Sequence, residues 1–158
     1  MKVYIIALLL LMTFRFEKGF SQCFGTEKKD STDIYLFSLM KYCDQYLGKT
    51  SLSSPTILVE NNYFITEGLP DNVRGYKVRY VYNSDIKSEL SGKKNVTVVR
   101  IVPLMVKGDD FSVSVIPFSV TYSKKNFNYV NGGGLGVSFE YDTQSKCLTF
   151  KECKRGNI

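Results

Sequence analysis

Four cysteines are the residues of this sequence with the widest range of chemistry, because a thiol can form a disulfide, bind a metal or act as a nucleophile. They are Cys23, Cys43, Cys147 and Cys153. Zinc ligands usually come in tight pairs two to four residues apart, often together with histidine. Here the spacings are 20, 104 and 6 residues and histidine is absent. The pattern therefore favours disulfides, and we assign no metal site.

Strand geometry ranks the three disulfide pairings. Cys147 and Cys153 bound the run CLTFKEC, and six steps of an extended strand hold their Cα atoms ~20 Å apart. A disulfide needs roughly 4.4–6.8 Å between Cα atoms. We therefore expect two bridges from Cys23 and Cys43 to the two C-terminal cysteines, with a Cys23–Cys43 bridge as the alternative.

The lack of histidine also narrows the catalytic choices, because it removes the Ser-His and Cys-His nucleophile pairs. Carboxylates or a Ser-Lys pair remain. Asp109 and Asp110 are adjacent but fall on a predicted hairpin turn, where Asp is favoured for backbone reasons. Glu140 and Asp142 share one face of a predicted strand. Neither pair converges on one substrate in this reading, so we assign no catalytic residue and favour a protein that is not an enzyme.

The run YVNGGGLGVSFEYD could be read as a phosphate-binding loop. Such a loop needs a helix after the glycines, and its lysine or third glycine at a fixed spacing. Gly136 is followed instead by a strand-like run, and no lysine follows. We therefore predict no cofactor. The residues from Gly132 to Gly134 are predicted to form a corner where the chain enters the sheet.

The N-terminus has the pattern of an export signal. Lys2 precedes the apolar run Val3–Phe14, which is too short to span a bilayer. Small residues then favour cleavage between Ser21 and Gln22. We expect an exported, periplasmic or extracellular protein, in the oxidising setting that favours disulfides.

A signal peptide over residues 1–21 and one domain over residues 22–158 follow from this reading. Lipidation at Cys23 is disfavoured because Gln22 is a poor neighbour for a lipoprotein cleavage site. The mature chain would carry 18 basic and 14 acidic residues, a net charge of +4. Its basic pairs are scattered among predicted turns, so we predict no nucleic-acid partner.

Periodicity predicts one helix followed by strands. The segment Thr32–Leu47 has apolar residues at helical spacing, with a cap among Asp30 to Thr32. Later segments favour strands and short turns, with a helical turn over Asp85–Ser91. The predicted strand segments are Thr56–Glu60, Tyr63–Glu67, Gly75–Asn83, Asn95–Val106, Phe111–Ser123, Leu135–Asp142 and Lys146–Lys151.

Each of the two longest predicted strand segments contains a proline. Pro103 and Pro117 cannot donate ladder hydrogen bonds, so each needs an edge or a bulge. The alternation also slips by one residue beside Pro117, which predicts a bulge there. We therefore expect an α+β domain, with one N-terminal helix packed on a curved, mostly antiparallel sheet of about six strands.

This layout is similar to cystatin-like and NTF2-like folds, although NTF2-like domains usually begin with more helix. The signal end FSQ and the run IPFSVTYSKKNFNYVNGGGLGVSFEYD resemble short exported proteins of Bacteroidetes bacteria. That resemblance implies no particular activity.

Three functions agree with these observations. We favour an exported, non-enzymatic binding module, of inhibitor or immunity type for example, that holds a protein partner or a small ligand in the cell envelope. A carboxylate-based hydrolase in the concave face of the sheet and a structural envelope component are the alternatives. The hydrolase requires two acidic residues to converge in one pocket.

Overall fold

A computed structural model of the protein describes residues 33–47 and 56–156. Its helices are α1 (Ile34–Tyr42), α2 (Tyr63–Thr66) and α3 (Asn83–Glu89), and a π-helical turn, Cys43–Leu47, continues α1. Its strands are β1 (Thr56–Glu60), β2 (Asn72–Val73), β3 (Tyr76–Val81), β4 (Val96–Ile101), β5 (Met105–Lys107), β6 (Asp110–Ser123), β7 (Asn126–Asn131), β8 (Gly134–Asp142) and β9 (Cys147–Gly156).

The nine strands in residues 56–156 belong to one mixed sheet, with the order β2-β3-β1-β4-β6-β8-β9, and β5 and β7 also pair with β6. Strand β1 pairs in parallel with both β3 and β4, whereas the other pairs are antiparallel. The predicted fold was therefore wrong, because the described part of the chain is mostly β, with nine strands and three short helices. Helical crossovers explain the difference: the links from β1 to β3 and from β3 to β4 contain α2 and α3, and such links return a chain in the same direction.

The N-terminal helix was predicted correctly in place and type. Asp33 caps α1, since its Oδ1 accepts hydrogen bonds from the backbone N–H of Tyr35 at 2.7 Å and of Leu36 at 3.3 Å. The cap was predicted among residues 30–32, and the structure places it one position later, at Asp33. One side of α1 is buried, including Phe37, whose ring lies 5.5 Å from that of Phe150 between centroids.

Two apolar cores lie on opposite faces of the sheet. The first core fills the space between α1 and one face, and Val59, Val99 and Phe139 are among its fully buried members. The second core lies on the other face, where Ile86 and Leu90 of the α3 segment pack with the strands. Its buried members are Leu58, Val81, Ile86, Leu90, Val96, Val98 and Val120.

Strand β6 serves both cores, and this explains the slip in its alternation. Val113 and Val115 belong to the first core, whereas Val120 belongs to the second. The pairing with β4 nevertheless runs without a shift, from Val96 opposite Val120 to Ile101 opposite Val115. The predicted bulge is therefore absent from the pairing with β4. On the other side of β6 the register does shift by one residue beside Pro117, from Phe118 opposite Asn131 to Val115 opposite Leu135.

The neighbours of β6 are interrupted on both sides, and each proline lies at an interruption. On one side β4 and β5 follow each other along β6, separated by residues 102–104, which include Pro103. On the other side β7 and β8 follow each other, separated by Gly132 and Gly133 opposite Pro117. The Gly132 N–H donates to the Pro117 carbonyl at 3.0 Å. Because a residue's N–H and C=O point to the same side of its strand, the missing N–H of Pro117 falls at this interruption.

Candidate binding pocket

The three parallel strands create a topological switch point. The chain passes from the central strand β1 to β3 on one side, and then crosses to β4 on the other. In open sheets, ligands bind outside the carboxyl ends of the parallel strands where the direction of succession reverses. Here that place lies between the ends of β1 and β4.

A cavity of about 350 Å³ lies at this place, and we call it the switch-point pocket. Its size is at the lower end of the range for ligand sites, ~300–1,000 Å³. The residues that line it come from the ends of β1 and β4 and from the links that follow them: Glu60, Asn61, Asn62, Tyr63, Phe64, Arg100, Ile101 and Pro103.

An ion pair forms the charged part of the switch-point pocket. The Arg100 Nη2 donates to Glu60 Oε1 at 3.1 Å, and the Arg100 Nε donates to Glu60 Oε2. This two-point contact follows from the register, because β1 and β4 are parallel neighbours with Val59 opposite Val99. The hydrogen bond to Glu60 is the main cause that raises the pKa of Arg100, so the guanidinium stays charged.

Two aromatic rings pack against the guanidinium of Arg100. The guanidinium carbon of Arg100 lies 4.9 Å from the ring centroid of Phe118 and 5.9 Å from that of Tyr129. The Tyr129 hydroxyl donates to Asn83 Oδ1 at 2.9 Å, which ties this ring to the start of α3. Burial raises the pKa of Tyr129, and the Glu60 carboxylate adds to the effect. Arg100 is thus oriented by a carboxylate and two rings, and its side chain remains 44% exposed.

The outer wall of the pocket is the short helix α2, where the sequence predicts a strand over Tyr63–Glu67. The strand prediction was wrong because nearby side chains form hydrogen bonds that stabilise a helical turn. Asn62 Oδ1 accepts from the Phe64 N–H at 3.3 Å, and the Thr66 hydroxyl donates to Asn61 Oδ1 at 2.6 Å. The turn presents Tyr63 and Phe64 outward, 66% and 91% exposed, with ring centroids 5.9 Å apart.

A second groove, of about 660 Å³, lies at the amino ends of the same parallel strands. Arg79 pairs there with Glu89 at 2.5 Å, and Lys77 and Lys93 are exposed. The groove is lined by Thr56, Leu58, Lys77, Arg79, Glu89, Lys93, Asn95, Val96 and Thr97. It is broad and basic, and it lacks the exposed aromatic side chains of the switch-point pocket.

The cysteine prediction fails for the residues that the structure describes. Cys43, Cys147 and Cys153 form no disulfide with one another, so neither C-terminal cysteine is bridged to Cys43. The positions of the three cysteines in the fold explain the absence of a bridge. Cys43 adjoins Asp44, whose carboxylate pairs with Arg74 between β2 and β3 at 3.2 Å, whereas the other two lie on β9 at the opposite edge. Cys23 lies outside the described residues, and its pairing stays a prediction.

Strand β9 nevertheless confirms the geometric argument about its two cysteines. Cys147 and Cys153 lie on one extended strand, six residues apart. They take no part in a bridge with each other. Cys147 is buried, and its Sγ lies 2.8 Å from the Ser145 hydroxyl oxygen.

The glycine run enters a strand, as predicted. Asn131 ends β7 and Gly134 begins β8, so no helix follows the glycines. Asn131 Oδ1 accepts from the Gly133 N–H at 2.8 Å, and Gly133 has a positive φ of 83°. These residues therefore form the interruption between β7 and β8, a conformational role rather than a phosphate site.

Two of the four acidic candidates, Asp110 and Asp142, form structural contacts, whereas Asp109 and Glu140 are exposed. A hydrogen bond from Lys151 lowers the pKa of Asp110, and a hydrogen bond from the Ser145 hydroxyl lowers that of Asp142. Among the described residues, the two cavities reported above have one carboxylate each, Glu60 and Glu89, and each is paired with an arginine. Within the same ranges, no three metal-ligating side chains gather.

Comparisons with models of protein families, with curated proteins and with solved structures gave no match to this chain. The resemblance to exported proteins of Bacteroidetes therefore stays a prediction. Among the described helices, none is long and apolar enough to cross a membrane. The proposed cleavage site at Ser21 and Gln22 lies outside the described residues.

Proposed function

We propose that this protein is an exported, non-catalytic binding module whose ligand enters the switch-point pocket. The observation that carries the proposal is an oriented but accessible guanidinium beside two exposed rings, all at the switch point of three parallel strands. Concave sites with apolar walls and a few fixed polar groups are typical of ligand binding. Export rests on the N-terminal apolar run alone.

The exposed aromatic pair gives this proposal its energetic support. A large aromatic side chain buries 150–250 Å² in a contact, and apolar burial contributes roughly 25 cal/mol per Å². Phe64 is 91% exposed in the free protein, so most of that contribution is available to a ligand. The carboxylate-based hydrolase has no comparable support, because two acidic residues do not converge in either of the two cavities described above.

The test is a binding panel measured with wild-type protein and two variants. The probes are capped octaproline, a capped Gly-Ser octapeptide, maltohexaose and inorganic phosphate. The pocket variant is Tyr63→Ala with Phe64→Ala, and the matched control is Tyr141→Ala, which removes a ring that is 45% exposed on β8. Isothermal titration calorimetry reports affinity, and circular dichroism checks that each variant is folded.

We expect at least one probe to bind the wild type and the control equally, and to bind the pocket variant at least tenfold more weakly. Binding of no probe, or equal binding to the pocket variant, would overturn the proposal. Export is tested separately by N-terminal sequencing of protein recovered from its own cells, where a first residue of Gln22 is expected. An intact Met1 would contradict it.

A further inference from the structure

The hydrogen bonds within the switch-point pocket indicate which class of ligand it can bind. Each side-chain carbonyl or carboxylate oxygen of the pocket already accepts one hydrogen bond within the protein, which leaves each of these oxygens one further acceptor position. Both oxygens of Glu60 accept from Arg100, Asn61 Oδ1 accepts from Thr66, and Asn62 Oδ1 accepts from the Phe64 N–H.

The donors of the same side chains are much less used. A guanidinium has five N–H donors, and the bonds to Glu60 use two of the five on Arg100, which leaves three. The Nδ2 groups of Asn61 and Asn62 donate to no partner in the described part of the chain, and Tyr63 adds a hydroxyl. These side chains therefore offer more unused donors than unused acceptor positions, which favours a ligand rich in acceptors.

The charges of the lining residues restrict the class of ligand further. Glu60 and Arg100 are the charged residues of the lining, and they neutralise each other through two contacts. An anionic ligand would meet the Glu60 carboxylate beside the Arg100 donors, so a neutral ligand fits best. The walls of the pocket include the apolar rings of Tyr63, Phe64 and Pro103.

We infer that the switch-point pocket binds a proline-rich peptide segment in the polyproline II conformation, an inference that rests on the binding function proposed above. Proline residues present carbonyl acceptors without N–H donors, and their rings are flat and apolar. Such segments dock in aromatic-lined grooves because their conformation is already formed, which lowers the entropic cost of binding. Sugar hydroxyls and ordinary peptide groups would bring donors of their own, for which these side chains offer fewer acceptor positions than they offer donors.

The test uses an isosteric change of one donor. Asn61→Asp replaces the Nδ2 group by an oxygen and keeps Oδ1, which can still accept from Thr66. The matched control is Asn128→Asp, which adds the same charge at an exposed position of β7. Capped octaproline is neutral, so a general charge effect on its affinity is small. Calorimetry with octaproline, the Gly-Ser octapeptide and maltohexaose gives the affinities, and thermal unfolding confirms that both variants are folded.

We expect octaproline to bind the wild type and Asn128→Asp equally, and to bind Asn61→Asp at least fivefold more weakly, with the Gly-Ser peptide much weaker throughout. Octaproline binding that Asn61→Asp leaves unchanged would overturn the inference. Maltohexaose binding that depends on Tyr63 and Phe64, without octaproline binding, would overturn the inference but preserve the proposed function. Binding of no probe would remove both.

Discussion

The contact between Glu60 and Arg100 can be tested by a double-mutant cycle with Glu60→Gln and Arg100→Gln. Hydrogen bonds to charged groups contribute about 1.5–3 kcal/mol, whereas fully exposed ion pairs contribute about 0.2–1 kcal/mol. This pair lies between the two cases, because its side chains are 21% and 44% exposed and the guanidinium also rests on two rings. We therefore expect a coupling free energy of about 1–1.5 kcal/mol.

Urea unfolding followed by far-ultraviolet circular dichroism suits this protein, which has no tryptophan. A single domain commonly has a urea dependence of about 2 kcal/mol per molar, so a loss of about 1.4 kcal/mol in Glu60→Gln lowers the midpoint by about 0.7 M. The control cycle uses Glu152 and Lys154, a 2.7 Å pair whose side chains are 41% and 74% exposed. Its coupling should stay below about 0.5 kcal/mol.

Equal coupling in the two cycles would refute this reasoning. It would mean that solvent screens the pair between Glu60 and Arg100 as strongly as an exposed pair. The guanidinium would then not be fixed, and its orientation could not support ligand binding.

Two further predictions concern stability. Gly132→Ala should lower the free energy of unfolding by about 1 kcal/mol, because the new Cβ would lie 3.2 Å from the Pro117 carbonyl oxygen; Gly156→Ala, whose Cβ meets no atom within 4 Å, should change it little, and equal urea midpoints would contradict this. Burial raises the pKa of Cys43 from about 9 to about 12, so the unfolded thiol ionises first and the stability present below pH 9 is lost between pH 9 and 12. Between pH 9 and 10 the wild type should therefore lose about 1 kcal/mol more than Cys43→Ala in urea unfolding, and identical losses would exclude this role.

Local patterns predicted local structure. Helix α1, strand β3 and the hairpin between β5 and β6 follow from spacing within a few residues. The parallel pairing of β1 with β3 and β4 depends on long-range contacts, which no local period encodes. One signal was present: TILVE and VTVVRI are nearly continuous apolar runs, as expected of parallel strands that are buried on both faces.

The sequence did not predict the switch-point pocket, because the pocket also depends on long-range contacts. Glu60 and Arg100 are 40 residues apart, and only the parallel register makes them neighbours. A useful signal was the charge of opposite sign near the end of each apolar run. The alternation in Tyr63–Glu67 misled, because the Asn62 cap and the Thr66 hydroxyl favour a helical turn over a strand.

The shared strand β6 also has a consequence for the order of folding. Its partners β5 and β7 are joined to it by two-residue turns, Gly108-Asp109 and Lys124-Lys125, so this three-stranded meander closes short loops. Central strand β1 pairs across longer separations, as Thr56 opposite Lys77 and Leu58 opposite Val98 show. Because long loops close more slowly than short ones, the meander is the natural early unit, and the switch-point pocket is completed only when β1 joins β4.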